Sequence, residues 1–301
     1  MRLNAVLNEF VYECTIKKYT SATIKGYRNG NGLFIKWLND THGITELEEV
    51  RTVCVKEYIF TKINNNCKET YINGIIKQLR AFFKYAVECD YIASDPMLKV
   101  KWTKENKPLI KTFTDEEARK LSAVFMNTTY TETRNRTIML MLLDTGIRCS
   151  ELCMLKERSL NGNILTIKGK GNKERQVGIS PILQRQLLIY FRIKQAYVSD
   201  KEIHSDALFL SRTCRQCTPN TIENIVKTAG IRAELNSDIR CSPHTCRHFY
   251  AQNLVRNGVD VYSLSRLLGH ENISITQRYL NSMLDADIVT KSITASPLMN
   301  L

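Results

Sequence analysis

Residues 244–248 read His-Thr-Cys-Arg-His, residues 268–270 read Leu-Gly-His, and Tyr279 stands nine residues beyond that last histidine. Outward from this stretch lie two more strings, Thr-Gly-Ile-Arg-Cys-Ser-Glu-Leu at 145–152 and Gly-Lys-Gly-Asn-Lys-Glu-Arg at 169–175. Together they supply Arg148, Lys170, His244, Arg247, His270 and Tyr279, that is, two guanidiniums, an ammonium, two imidazoles and a phenol. A phosphodiester is a poor electrophile because its non-bridging oxygens repel a nucleophile, and its five-coordinate transition state carries still more charge on the equatorial oxygens. Enzymes often answer with Mg²⁺ on clustered carboxylates, but these strings hold no Asp-x-Asp or Asp/Glu/Glu constellation. Two arginines can replace the metal, since each guanidinium donates paired hydrogen bonds to phosphate and stays charged at any working pH. The set is what a metal-free attack of a tyrosine on a phosphodiester requires, and it points to the cutting and rejoining of DNA strands.

Each residue also has an ordinary alternative. Arg148 taken alone would open a helix and pair with Glu151 on its surface. Twelve other tyrosines compete with Tyr279, whose phenol, with a pKa near 10 when free, needs nearby cations or a base to become a nucleophile. A lone histidine is usually structural, and that reading is kept for His42, His204 and His248. His244 differs, because it precedes Arg247 by three residues and so shares a helical face with it.

Read together and in order, these strings resemble the tyrosine recombinases, the family of phage and transposon integrases and Xer resolvases. The resemblance is strong from about Phe113 onward and looser before it. It implies that Arg148 and Arg247 clamp the scissile phosphate, that Tyr279 attacks it, and that His270 donates to a non-bridging oxygen. It further implies that His244 accepts a proton or orients the nucleophile, and that Lys170, at a hairpin tip, protonates the departing 5′ oxygen. Lys173 lies close enough to compete for that last role. The bond energy would be kept in a 3′-phosphotyrosine, so no ATP, metal or other cofactor is expected, and the G-x-x-x-x-G-K-[ST] phosphate loop is absent. The implied partners are double-stranded DNA at specific sites and further copies of the chain, a dimer on one site and a tetramer in the synapse. An accessory or directionality protein is compatible with this scheme.

The net charge of +13, with a pI near 9.3, favours a polyanionic partner, and it is spread as +5 over residues 1–107 and +8 over the rest. No run approaches the roughly 18 apolar residues of a membrane span and no signal peptide is recognisable, so a cytoplasmic protein is expected. The ten cysteines are therefore expected to be reduced. Cys214 and Cys217 form a C-x-x-C pair, but Cys241 and Cys246 are too loosely spaced to complete a zinc site.

The expected fold is mainly α with a small β-sheet: a helical core-binding domain at 1–102, a linker at 103–112 and a mixed α/β catalytic domain at 113–301. Thr20 and Ser21 cap a helix bearing Lys25 and Arg28, and Thr70–Glu88 keeps a 3.6-residue apolar period with Lys77, Arg80 and Lys84 on its polar stripe. Such a stripe is ordinarily a solvated face. In the family the N-terminal domain closes over DNA from the side opposite the catalytic domain, which makes these five residues candidate phosphate contacts.

Asp95-Pro96 ends that pattern, and Thr114 with Glu117 opens the next helix as a capping box. Residues 134–143 form an apolar helix that delivers a turn at 144–146. Ile164 to Lys168 and Gln176 to Ile179 form a hairpin. Thr218-Pro219 starts a helix near whose N-terminus Arg215, Gln216 and Asn220 are candidate base readers. After Tyr279, Leu280, Met283, Leu284, Ile288 and Val289 form an apolar stripe that packs on its own domain or, as in the family, docks on a neighbouring subunit. Two rivals remain: a type IB topoisomerase, which shares the catalytic set, and a DNA-binding regulator that keeps the fold without activity.

Overall fold

The computed structural model describes residues 1–105, 111–169, 173–235, 238–270 and 272–280, the last three of them by backbone alone, together with residue 293. Lys170 and the apolar stripe beyond Leu280 lie outside the described residues. The chain divides into two units, Met1–Pro108 and Leu109–Leu301. No described helix is long and apolar enough to cross a membrane.

The first unit is helical: α1 (Leu3–Ile16), α2 (Ser21–His42), α3 (Thr52–Asn64) and α4 (Glu69–Glu88). Helix α1 buries Leu3, Val6, Leu7, Phe10, Val11 and Cys14, the three-and-four spacing of one helical face. The Thr20 hydroxyl accepts the N–H of Thr23 at 3.3 Å, and Gly43, at φ 68°, stops α2 in the left-handed region that a side chain would disfavour. Helix α4 carries the apolar period seen in the sequence into the centre of this unit. Phe82 and Phe83 are fully buried there and meet Phe10 and Phe34 edge-on. The chain leaving α4 folds back onto it, since the Asn73 side chain exchanges two 2.9 Å hydrogen bonds with the backbone of Thr103.

The second unit surrounds α6 (Tyr130–Thr145), which is preceded by α5 (Asp115–Ala123) with the Thr114–Glu117 capping box in place. Helix α6 buries residues around most of its circumference, as a central helix must. Asp144 and Thr145 stay helical, and the turn is made by Gly146 alone, at φ 56°. A Cβ there would fall 2.4 Å from the Tyr250 ring, so both the conformation and the space require glycine.

Next come α7 (Cys149–Met154) and a three-stranded antiparallel sheet of order β1 (Leu160–Asn161), β2 (Ile164–Lys168), β3 (Glu174–Gly178). The register sets Leu165 opposite Val177 and Ile167 opposite Arg175. Opposed residues share a face, so Arg175 shares the inner face with three apolar side chains that are essentially fully buried. Helices α8 (Pro181–Val198), α9 (Pro219–Arg232) and α10 (Pro243–Arg256) each begin with proline in the first turn behind a Ser or Thr cap, and α11 (Val261–Leu268) and α12 (Ile273–Leu280) follow. All ten cysteines are free, with Cys214 and Cys217 buried in the core, and no group of three or more metal-ligating side chains occurs among the described residues.

Candidate active site

Two turns build the centre of the site. The first follows α6: Gly146 reverses the chain, and Arg148 sits extended at the N-cap of α7. The second follows α11, where Gly269, at φ 63°, caps the helix and presents His270. Arg148 donates from Nη2 to the Gly269 carbonyl at 2.9 Å, joining the two turns across 121 residues of sequence.

Arg247 reaches the same place from α10. It is 3% exposed and donates to the carbonyls of Gly146 (2.7 Å) and Leu268 (2.6 Å), and its Nη2 lies 3.0 Å from His270 Nε2. The structure thus brings Arg148, Arg247 and His270 together around one pair of turns. Burial first, then the charges of Arg247, Arg148 and Arg175, push His270 down to about 4. Desolvation followed by the charge of Arg247 also lowers His244, one turn before Arg247 on α10. These neutral imidazoles beside fixed cations leave the positive potential to the arginines.

Glu151 holds Arg148 in place, and sequence reasoning assigned it only the part of a surface partner. Its carboxylate is 4% exposed and accepts from Arg148 Nη1 at 2.8 Å and from the Arg148 N–H at 2.9 Å. Arg175, which sequence reasoning passed over, closes a two-bond fork on the same carboxylate at 2.8 and 2.7 Å and donates from Nε to the Leu267 carbonyl at 2.8 Å. The available signal was strand alternation. In β3, Arg175 shares the face of Val177, and an inward arginine needs a buried acid.

With Lys168, Lys173, Gly269 and His270, these residues line a cleft of about 1220 Å³. Arg148, its side chain 38% exposed, has five N–H groups and uses only two of its side-chain nitrogens in hydrogen bonds among the described residues. The remainder can meet a phosphate. Tyr279 lies on α12, the helix that follows His270. A rival phenol, Tyr250 on α10, is pushed by burial up to about 12, which makes it a poor nucleophile.

The candidate DNA contacts outside this cleft fare unequally. Lys25 and Arg28 on α2 and Lys77 on α4 are exposed, and Lys84 is exposed with Glu88 at 3.5 Å. Arg80 departs from the expectation of a free basic face. It is half-buried, donates to the Val100 carbonyl at 2.5 Å and stacks over Trp102 at 4.4 Å. In the second unit Arg215, Gln216 and Asn220 are exposed, and the Gln216 amide donates to the Cys153 carbonyl at 2.7 Å, which braces α7.

Residues 111–284 match the family model described as the phage integrase family. The chain belongs to that family. It is a tyrosine recombinase, a site-specific recombination enzyme. Among its relatives, tyrosine recombinase XerC of Bacillus pumilus is 29% identical, and the match covers 90% of this chain and 89% of that protein. Two solved folds agree with that of this recombinase. XerH bound to its difH substrate in a post-cleavage complex is 19% identical, covering 92% of this chain and 80% of that one with a TM-score of 0.74. A lambda integrase dimer bound to a COC′ core site is 17% identical, covering 94% and 96% with a TM-score of 0.73.

Proposed function

We propose that this recombinase cuts and rejoins duplex DNA at specific sites through a 3′-phosphotyrosyl intermediate on Tyr279, with Arg148, Arg247, His270, His244 and Lys170 serving the same phosphodiester. The convergence of Arg148, Arg247 and His270 on the two turns at the cleft carries this reading. Guanidiniums from two directions match the charge that grows on the equatorial oxygens. The phenol oxygen of Tyr279 bonds to phosphorus as the bond to the 5′ oxygen breaks. The phenol proton passes to a base, for which His244 is kept neutral, and Lys170 gives a proton to the departing oxygen. Attack by the 5′ hydroxyl of another strand reverses each step and frees Tyr279.

The domain assignment accompanies this reading: a helical core-binding domain over 1–102, a linker at 103–112 and a catalytic domain over 113–301. Lys25, Arg28, Lys77 and Lys84 contribute phosphate contacts, and Arg215 and Asn220 contribute base contacts. The chain works as a dimer on one site and a tetramer when two sites are paired. XerH on difH and the lambda integrase dimer on its core site support DNA and self-association as the partners.

The test uses two supercoiled plasmids, one carrying two copies of a site selected by binding from random duplex DNA and one carrying none. Exchange between sites on the first, with the second left supercoiled, is expected. Relaxation of the site-free plasmid would favour a type IB topoisomerase, and binding without strand exchange or cleavage would favour a regulator.

A further inference from the structure

His270 has two ring nitrogens, and the structure sets the role of each. Nε2 lies 3.0 Å from Arg247 Nη2. A guanidinium has only donors and keeps its protons, so Nε2 must offer its lone pair. The proton of the neutral ring therefore sits on Nδ1. Nδ1 lies 2.8 Å from Thr276 Oγ1, which accepts it.

Thr276 is an unusual residue to find on that side of α12. It is 0% exposed, while Ile273, Ser274, Ile275 and Gln277 around it are all exposed. Among the described side chains of α12 the buried one is this hydroxyl, placed against a ring nitrogen. Tyr279 follows Thr276 by three residues, about one helical turn along the same helix.

We propose that Thr276 is a positioning residue for strand cleavage: its hydroxyl fixes His270 with Nε2 facing the arginines, and the same bond pins the helix that carries Tyr279. The proposal rests on the reading that His270 and Tyr279 serve one phosphodiester. The geometry gives the bond two effects at once. It aims the imidazole and it sets the depth and rotation of α12, so that nucleophile and phosphate pocket share a reference point. When a phosphate oxygen replaces Arg247 at Nε2, that nitrogen becomes the donor only after taking a proton, and the Nδ1–H bond to Thr276 persists in either charge state.

The test compares Thr276→Val, which keeps the shape and loses the acceptor, with Thr276→Ser, which keeps the acceptor. In the full-length protein labelled with ¹³C and ¹⁵N histidine, NMR reports which ring nitrogen of His270 is protonated. Wild type and Thr276→Ser should show Nδ1–H, and Thr276→Val should lose that preference. On a nicked site duplex that traps the covalent product, Thr276→Val should cleave about tenfold more slowly, with Thr276→Ser within about threefold of wild type and site binding unchanged in both. Wild-type cleavage by Thr276→Val with Nδ1–H retained would overturn the proposal, as would a Thr276→Ser defect equal to that of valine. If the wild-type protein forms no covalent product, the catalytic reading fails, and the protonated nitrogen in the two variants still decides whether Thr276 orients His270.

Discussion

Arg175 grips the buried carboxylate of Glu151 with two parallel hydrogen bonds, 2.8 and 2.7 Å long, from the inner face of strand β3. Arg148 donates a third and a fourth bond to the same group, so a single acid organises two arginines from different elements. One negative charge against two positive ones leaves the cleft with a positive excess, suited to a phosphodiester. Removing Glu151 or Arg175 costs most, because each leaves the other buried without its full set of partners.

Arg175→Lys should therefore behave as a severe change despite keeping the charge. Lysine offers a point contact in place of a fork and loses the bond to the Leu267 carbonyl. Denaturant unfolding should show a loss of about 2–3 kcal/mol, with cleavage reduced more than site binding. An unchanged unfolding midpoint would remove Arg175 from the network.

Acid should destabilise the protein in two windows. Burial alone would raise the Glu151 carboxyl, but the bonds from Arg175 and then Arg148 outweigh it and bring the group from an ordinary 4.5 to about 2. The folded state thus favours the ionised acid. Its contribution, about 3 kcal/mol, is complete above pH 4.5 and is lost as pH falls towards 2. His270 and His248, each lowered from 6.5 to about 4 by burial first, favour the neutral ring when folded. The unfolded chain takes up their protons first, so stability already declines as pH falls from 6.5 to 4. Urea midpoints measured from pH 7 to 2 should show both declines. Glu151→Gln should flatten only the lower one; a profile that Glu151→Gln leaves unchanged would contradict the buried ionised acid.

The legible part of this protein was local. Capping boxes, proline-first helices and the apolar period of α4 depend on neighbours in sequence, and they placed α4 and the starts of α2, α5 and α9 within a residue or two. The strings proposed as catalytic were legible as chemistry, because two arginines, two histidines and a tyrosine together match what a phosphodiester requires. What connects them was hidden. Strand alternation puts Arg175 on the apolar face of Val177, but which acid it meets there, Glu151 on α7, depends on tertiary packing that no local pattern shows. The His270–Thr276 bond spans a turn at a separation of six, which no helical period marks. Arg80 looked like part of a basic stripe because nothing local shows that Val100 and Trp102 fold back over it.

Because Arg80 is held by Val100 and Trp102, DNA contact by α4 is tested at Lys77. Lys77 is exposed and replaceable, so Lys77→Ala should lessen the slope of log K against log salt by about one if its ammonium meets a phosphate. Arg80→Ala should instead lower the thermal midpoint of the protein. An unchanged salt slope for Lys77→Ala returns this face to solvent.

Lys170 makes a claim about the leaving group. An alkoxide departs poorly unless protonated, whereas a thiolate departs without help. Lys170→Ala should cleave ordinary DNA very slowly and recover most of its rate when the bridging 5′ oxygen is replaced by sulfur, while Arg148→Ala should not recover. Rescue of Lys173→Ala in place of Lys170→Ala would move the general acid to Lys173, an exposed residue of the same cleft.

The most direct measurement is the site of covalent attachment. The protein is incubated with nicked duplexes carrying its selected site, denatured and digested, and the peptide bearing the nucleotide is sequenced by mass spectrometry. The account predicts a phosphodiester-linked nucleotide on Tyr279 and no adduct from Tyr279→Phe, although that variant still binds the site. An adduct on another residue, or one that survives Tyr279→Phe, would contradict it.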